Sequence, residues 1–255
     1  MGTSAAHTTD PHGTVVRLRG LTKAFGTNEV LRGFDLDVRR GENVMVLGRS
    51  GSGKSVLIKC VVRLLEPDAG SVQVLGEDVL ALDDAALDRL RVRVGFLFQS
   101  SALYDGMTVQ ENLEFPLRRH WVSITPEETD ARVEESLQAV GLAHTRHMYP
   151  AELSGGMKRR IGLARTLIMK PEVVLYDEPT TGLDPITSLE MVELILKLQH
   201  DYGTSSIIIS HDLNVAKRAA DRIALLHEGR NYAEGTYDEL RASADPVVQR
   251  FFVMM

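Results

Sequence analysis

Gly48-Arg49-Ser50-Gly51-Ser52-Gly53-Lys54-Ser55 is the stretch from which the rest of this 255-residue chain is read. An apolar run, Val44 to Leu47, precedes it and reads as a buried strand; a helical stretch, Val56 to Leu65, follows. Strand, glycine-rich turn and helix is the context that gives the spacing G-x-x-x-x-G-K-[ST] a mechanism. Gly48, Gly51 and Gly53 let the backbone curl until the N–H groups of Ser50, Ser52 and their neighbours point inward, at phosphate oxygens. The helix N-terminus at Val56 adds partial positive charge at the same place. Lys54 brings a full charge to the β- and γ-phosphates, and the Ser55 hydroxyl is placed to ligate Mg²⁺. With glycine at about 7% of residues, four specified positions coincide by accident in about 1% of chains this long.

Length and composition set the frame. The chain can bury one large core, with a subdomain inserted in it. Apolar content of 44% and charged content of 25% are those of an ordinary globular protein. A net charge of −6 argues against a nucleic-acid groove, whose binding is driven by neutralising phosphates. No apolar stretch approaches the roughly eighteen residues that span a bilayer. Residues 1–13 read as a disordered leader, polar and without the apolar centre of a signal peptide. The single Cys60 excludes an internal disulfide and reads as a small core residue of a reducing compartment. Together these features describe a cytoplasmic α/β protein.

Along the chain, Val15 to Gly20 and Phe34 to Val38 read as strands. Phe25 lies between them and fits either a core position or an aromatic that stacks on an adenine ring. Ser71 to Gly76 is a further short strand, and Ala85 to Arg93 a helix. Val94 to Phe98 forms a buried strand that ends at Gln99, a polar residue placed to reach a ligand, since ligands of open α/β sheets gather beyond the carboxyl ends of the strands. From Ser100 to about Pro150 the pattern turns helical. Thr125-Pro126-Glu127-Glu128 opens a helix, Val133, Leu137 and Val140 form its apolar stripe, and Gly141 stops it. Ser154-Gly155-Gly156 opens another helix and is followed by Lys158-Arg159-Arg160, either a solvated basic face or the start of a second anion site. The run Val173 to Tyr176 delivers two adjacent carboxylates, Asp177 and Glu178, to the end of a strand. Beside a phosphate loop they suit Mg²⁺ and an attacking water respectively. Ile207 to Ile209 is another buried strand, and it presents His211 at its carboxyl end. A strand from Arg222 to Leu226, a hairpin and an apolar terminus from Val247 complete the pattern.

Gly48–Ser55, Gln99, LSGGM at 153–157, VVLYDE at 173–178, GLD at 182–184 and SHD at 210–212 occur in one order. As a set, over about residues 14–245, they resemble the ATP-binding subunit of ABC transporters. The resemblance implies an α/β P-loop NTPase fold of ABC ATPase type. Its parts are a RecA-like core with a parallel sheet, an N-terminal antiparallel β part and a helical subdomain inserted at about 100–158. Residues 246–255 are left as a C-terminal tail. It implies ATP and Mg²⁺ as ligands. Phe25 is then the adenine-stacking aromatic; Gly48, Ser50 to Ser55 and Val56 hold phosphate; and Ser55, Gln99 and Asp177 face the metal. Lys54, Gln99, Glu178 as general base and His211 as γ-phosphate switch are the catalytic groups. Ser154, Gly155, Gly156 and Asp184 act on the ATP of another copy, in a head-to-tail homodimer.

A narrower resemblance lies in FQSSALYDGMTVQENLEFPLR (98–118), in Met157 and in YDEPTTGLDPITS. These segments are similar to the ATPase of Mla/Mce-type lipid transport systems. They imply an integral membrane permease, a small cytoplasmic accessory subunit and a peripheral position on the cytoplasmic face of the inner membrane. Leu103, Tyr104 and Met107 are candidates for the permease groove. Arg49 and an end at Met255 depart from the pattern. An ATPase of amino-acid import or lipoprotein release shares the chemistry. A soluble ABC protein of DNA repair or translation would add a coiled-coil insertion or a second cassette, and neither is visible.

Overall fold

The computed structural model describes residues 13–119 and 124–254; the expected leader, apart from Gly13, lies outside them. The chain opens with β1 (Thr14–Phe25) and β2 (Asn28–Arg39), an antiparallel hairpin turned at Gly26-Thr27. Both strands outrun the sequence pattern. A register shift between Leu18 and Leu21, where Gly20 takes φ +57°, breaks the alternation that would have announced the whole of β1. Strand β3 (Asn43–Leu47) leads through the glycine loop into α1 (Lys54–Val61). The helix stops four residues short of expectation. Arg63 adopts φ +50° there and gives its guanidinium to the carbonyls of Val79 and Leu82, at 3.1 and 2.7 Å. Strands β4 (Ala69–Val74) and β5 (Glu77–Asp78) complete an antiparallel sheet of order β2-β1-β4-β5.

Next come α2 (Asp84–Val92), capped by Asp83, and β6 (Val94–Leu97). The crossover from β6 is helical, as the sequence implies, and holds α3 (Val109–Arg119), α4 (Pro126–Ala139) and α5 (Gly155–Leu167). The Thr125–Glu128 capping box forms in both directions: Glu128 N donates to Thr125 Oγ1 at 3.2 Å and Thr125 N to Glu128 Oε2 at 2.8 Å. Helix α3 carries an internal Pro116 and gave little sequence signal; its buried Asn112 fastens the preceding turn through the carbonyls of Tyr104 and Met107, both at 3.1 Å. The chain ends through β7 (Val173–Asp177), α6 (Pro185–Tyr202), β8 (Ser205–Ser210), α7 (Leu213–Ala219), β9 (Arg222–His227), β10 (Arg230–Gly235), α8 (Tyr237–Arg241) and α9 (Pro246–Met254). Helix α9, the expected tail, folds back with Val248 and Phe251 buried.

The second sheet has the order β10-β9-β3-β8-β7-β6, with every pairing parallel except β10 against β9. All five residues of β3 and of β7 are buried, because both faces of the sheet are covered. Met45, Leu47, Val174 and Tyr176 face the helical side. Val44, Val46, Val173 and Leu175 face α1 and the antiparallel sheet. Register brings the strand ends level. Leu47 pairs with Ser210, Asp177 with Ile209, and Leu97 with Tyr176, so the loops after β3, β8, β7 and β6 leave from one edge.

Cys60 lies on α1, fully buried, and burial pushes its thiol up to about 11. At pH 8 roughly 0.1% would then be thiolate. Ellman's reagent is expected to find no reactive thiol in the folded chain and one after denaturation; fast labelling of the native chain would mean that α1 is packed otherwise.

Candidate active site

The loop between β3 and α1 is shaped by its glycines. Gly51 and Gly53 take φ of +77° and +104°. A Cβ on Gly53 would lie 2.5 Å from Val30 Cγ1, and one on Gly48 would lie 2.7 Å from Ser52 Oγ. Lys54 is buried at the start of α1, and its Nζ donates to the carbonyls of Gly48 (2.7 Å) and Arg49 (3.1 Å). The same Nζ lies 3.3 Å from Glu178 Oε1. On the next residue, Ser55 Oγ donates to Asp177 Oδ1 at 2.8 Å.

Glu178 sits one residue beyond β7 with φ +50°, and its N–H donates to Ile209 O at 3.0 Å. A non-glycine residue in that region is uncommon, and at a strand end it re-aims the side chain. The carboxylate is buried and shared. Lys54 approaches Oε1; His211 Nδ1 at 2.9 Å and Thr181 Oγ1 at 3.1 Å approach Oε2. Burial raises the proton affinity of Asp177, against the Ser55 hydrogen bond and the charge of Lys59, which lower it.

A cavity of about 440 Å³ opens here, lined by Phe25, Val30, Ser50, Gly51, Gly53, Lys54, Ser55, Val56, Gln99, Glu178, Thr181 and His211. Phe25 is 48% exposed, so it is not a core residue but the rim of this cavity. Gly48 and Ser52 stand behind the loop, and Asp177 is reached through Ser55. Ser154, Gly155, Gly156 and Asp184 lie elsewhere. They line a second cavity of about 510 Å³, and no residue lines both. Ser154 N-caps α5 by accepting Met157 N at 3.2 Å. Asp184 caps α6, where the Thr187 hydroxyl, at 2.6 Å, and the backbone amides hold its carboxyl below the usual range.

The basic run does not form one anion site. Arg160 pairs with Glu190 at 2.6 Å, and Arg159 turns inward onto backbone carbonyls. Sequence reasoning passed over Thr181; its one signal is a hydroxyl three residues after Glu178 in a tight loop. A third cavity, about 320 Å³, lies between β6 and the helical crossover, with Phe96, Phe98, Tyr104, Phe115, Arg119 and Arg165 on its walls. Tyr104 is there, whereas Leu103 packs on the core and Met107 is not on its wall.

The donor set fits a triphosphate and a magnesium ion. The loop can pack against Val30 and Leu226 only because Gly53 and Gly48 lack a Cβ, and the Ser55 hydroxyl and Asp177 carboxylate are hard oxygen ligands side by side. Among the described residues no group of three or more His, Cys, Asp or Glu is placed to hold a metal ion.

A strand–glycine loop–helix beside two carboxylates at the end of a parallel strand defines a P-loop nucleoside triphosphatase. The family model described as ABC transporter matches residues 31–181. A probable ribonucleotide transport ATP-binding protein, mkl, of Mycobacterium leprae is 36% identical over 94% of this chain and 69% of its own length. A methionine import ATP-binding protein, MetN, of Caulobacter vibrioides is 43% identical over 86% of this chain and 65% of its own. Among solved structures, the dimeric ATP-binding cassette MJ0796 in a post-hydrolysis state with ADP and Pi superposes with a TM-score of 0.79. It is 32% identical, covering 87% of this chain and 98% of that one. CbiO1 of Clostridium perfringens, part of the transporter complex cbiONQ, gives 0.82 at 26% identity, covering 94% and 95%. The chain belongs to the ABC transporter family, as an ATP-binding subunit with ATPase activity.

Gly53→Ala would strain a left-handed residue and drive a methyl into Val30. A loss of about 1–3 kcal/mol is expected, together with weakened ATP binding. Thermal melting and a fluorescent-nucleotide titration check it.

Proposed function

We propose that the chain hydrolyses ATP between two head-to-tail copies and so drives a membrane transporter. The observation that carries this reading is the separation of the two cavities. Ser154, Gly156 and Asp184 open on one, Lys54 and Glu178 on the other, so these groups can meet on one nucleotide only if a second chain supplies half of them. The dimeric MJ0796 cassette is similar in fold.

In this mechanism Glu178 accepts the proton of a water as its oxygen bonds to the γ-phosphorus. The bond from that phosphorus to the bridging oxygen breaks, and its electron pair leaves with ADP. Lys54 holds the β- and γ-phosphates, and His211 keeps Glu178 aimed while facing the γ-phosphate. Ser55 and Asp177 would hold a magnesium ion, which would supply charge neutralisation to the phosphates. Gln99, at the level exit from β6, is in position to sense both metal and water. Phe25 stacks on the adenine.

Among the described residues no helix is long and apolar enough to cross a membrane, so transport requires a permease. We place its docking helix in the aromatic and arginine-lined cavity beside Tyr104, on the cytoplasmic face of the inner membrane. Lipid is our proposed cargo, supported by the resemblance of residues 98–118 and Met157 to Mla/Mce-type ATPases. Import of a small solute is the second reading, favoured by the names of the methionine and ribonucleotide relatives. ATPase assays of the copurified permease complex, with phospholipid vesicles or with methionine and ribonucleotides, separate the two.

Glu178→Gln is expected to lose turnover by a factor of about 10²–10⁴ and keep ATP affinity; a variant that still turned over would overturn the base assignment. Lys54→Ala and Ser154→Arg should each be inactive alone. Mixed in equal amounts, they form heterodimers with one intact site, and about a quarter of parental activity should return. An inactive mixture whose heterodimers are verified would end the shared-site reading.

A further inference from the structure

Arg159 lies one and a half turns into α5, the helix capped by Ser154, and is only 8% exposed. Burial lowers the proton affinity of its guanidinium, and among the described residues no carboxylate pairs with it. A buried charge without a counter-ion is costly and needs hydrogen bonds to persist. Here those bonds go to three backbone carbonyls in two separate loops. Nη1 donates to Phe98 O at 3.3 Å and, more closely, to Gln99 O, where the chain leaves β6. Nη2 donates to Thr181 O at 2.9 Å, in the loop after β7. Thr181 in turn gives its hydroxyl to Glu178 Oε2 at 3.1 Å and its N–H to Glu178 O at 3.2 Å.

We propose that Arg159 is a positioning residue that fixes the loop of Gln99 and the loop of Glu178 to the helix bearing the Ser154 tip. A flat guanidinium can serve both loops at once, because its N–H groups diverge in a fixed plane; an ammonium on a flexible stem cannot hold that geometry. Gly162, one turn further along α5, allows the close approach: a Cβ there would lie 3.0 Å from Ser101 Cβ and 3.2 Å from Leu97 Cδ1. Movement of α5 therefore pulls on the carbonyls of Gln99 and Thr181 together. The partner copy that engages Ser154 thereby acts on the water-activating carboxylate of the same chain. This inference rests on the roles proposed above for Glu178 and for the Ser154 tip.

The test uses the full chain with Mg-ATP. Arg159→Gln is expected to lower kcat about 10- to 100-fold, with ATP affinity and melting temperature close to the parent. Arg159→Ala should regain several-fold activity on titration with methylguanidinium at non-denaturing concentration, and Arg159→Lys should stay slow. Thr181→Val removes only the hydroxyl that reaches Glu178, so it tests the relay if the arginine variants fold poorly; a fall in kcat without a change in ATP affinity is expected. Parental kcat in Arg159→Gln and Thr181→Val, or a slow, normally folded Arg159→Ala without rescue, would overturn the proposal. If Glu178→Gln is inactive while Arg159→Gln is fully active, only this inference fails; an active Glu178→Gln would instead remove the base reading beneath it.

Discussion

The Glu178 carboxylate is the constraint about which the structure is arranged. Buried charge of this kind survives only with partners, and its three come from three different segments: Lys54 after β3, Thr181 after β7 and His211 after β8. Their convergence depends on register. Parallel pairings without offset put the ends of β3, β8, β7 and β6 on one level, so side chains from the segments that follow them reach a common point. A slip of one residue in any of these pairings would turn a lining side chain to the opposite face of the sheet. The fully buried β3 and β7, packed on both sides, make such a slip costly.

The core and the nucleotide cavity were legible because their signals are local. A buried strand is a short apolar run, and a phosphate loop is a fixed spacing of glycines, so Val44 to Ser55 and Val173 to Glu178 could be read directly. Capping is equally local, and the Thr125–Glu128 box formed as expected. Less was visible where tertiary contacts decide. The ends of β1 depend on a bulge at Gly20, the end of α1 on carbonyls offered by a distant loop, and α3 on Asn112 fastening its own approach.

The run Lys158-Arg159-Arg160 shows why charge patterns in sequence do not fix function. Adjacent helix positions point about 100° apart, so identical side chains enter different surroundings. Arg160 reaches an acidic partner on α6, whereas Arg159 goes under the sheet edge to backbone oxygens. A guanidinium that finds carbonyls is indistinguishable, in one-letter code, from one that awaits an anion.

The exposed ring of Phe25 has a consequence for nucleobase choice. It stands at the end of β1, on a cavity that Val30 and Val56 also line, with Lys23 Nζ 5.7 Å from the centre of its ring. A flat hydrocarbon face grips any planar heterocycle by contact area and offers no pattern of donors and acceptors to read its edge. On the stacking role proposed for Phe25, the ring itself adds little selectivity among purines. On the proposed stacking role, recognition of the nucleotide rests on the phosphate-binding loop and Lys54 more than on the edge of the base.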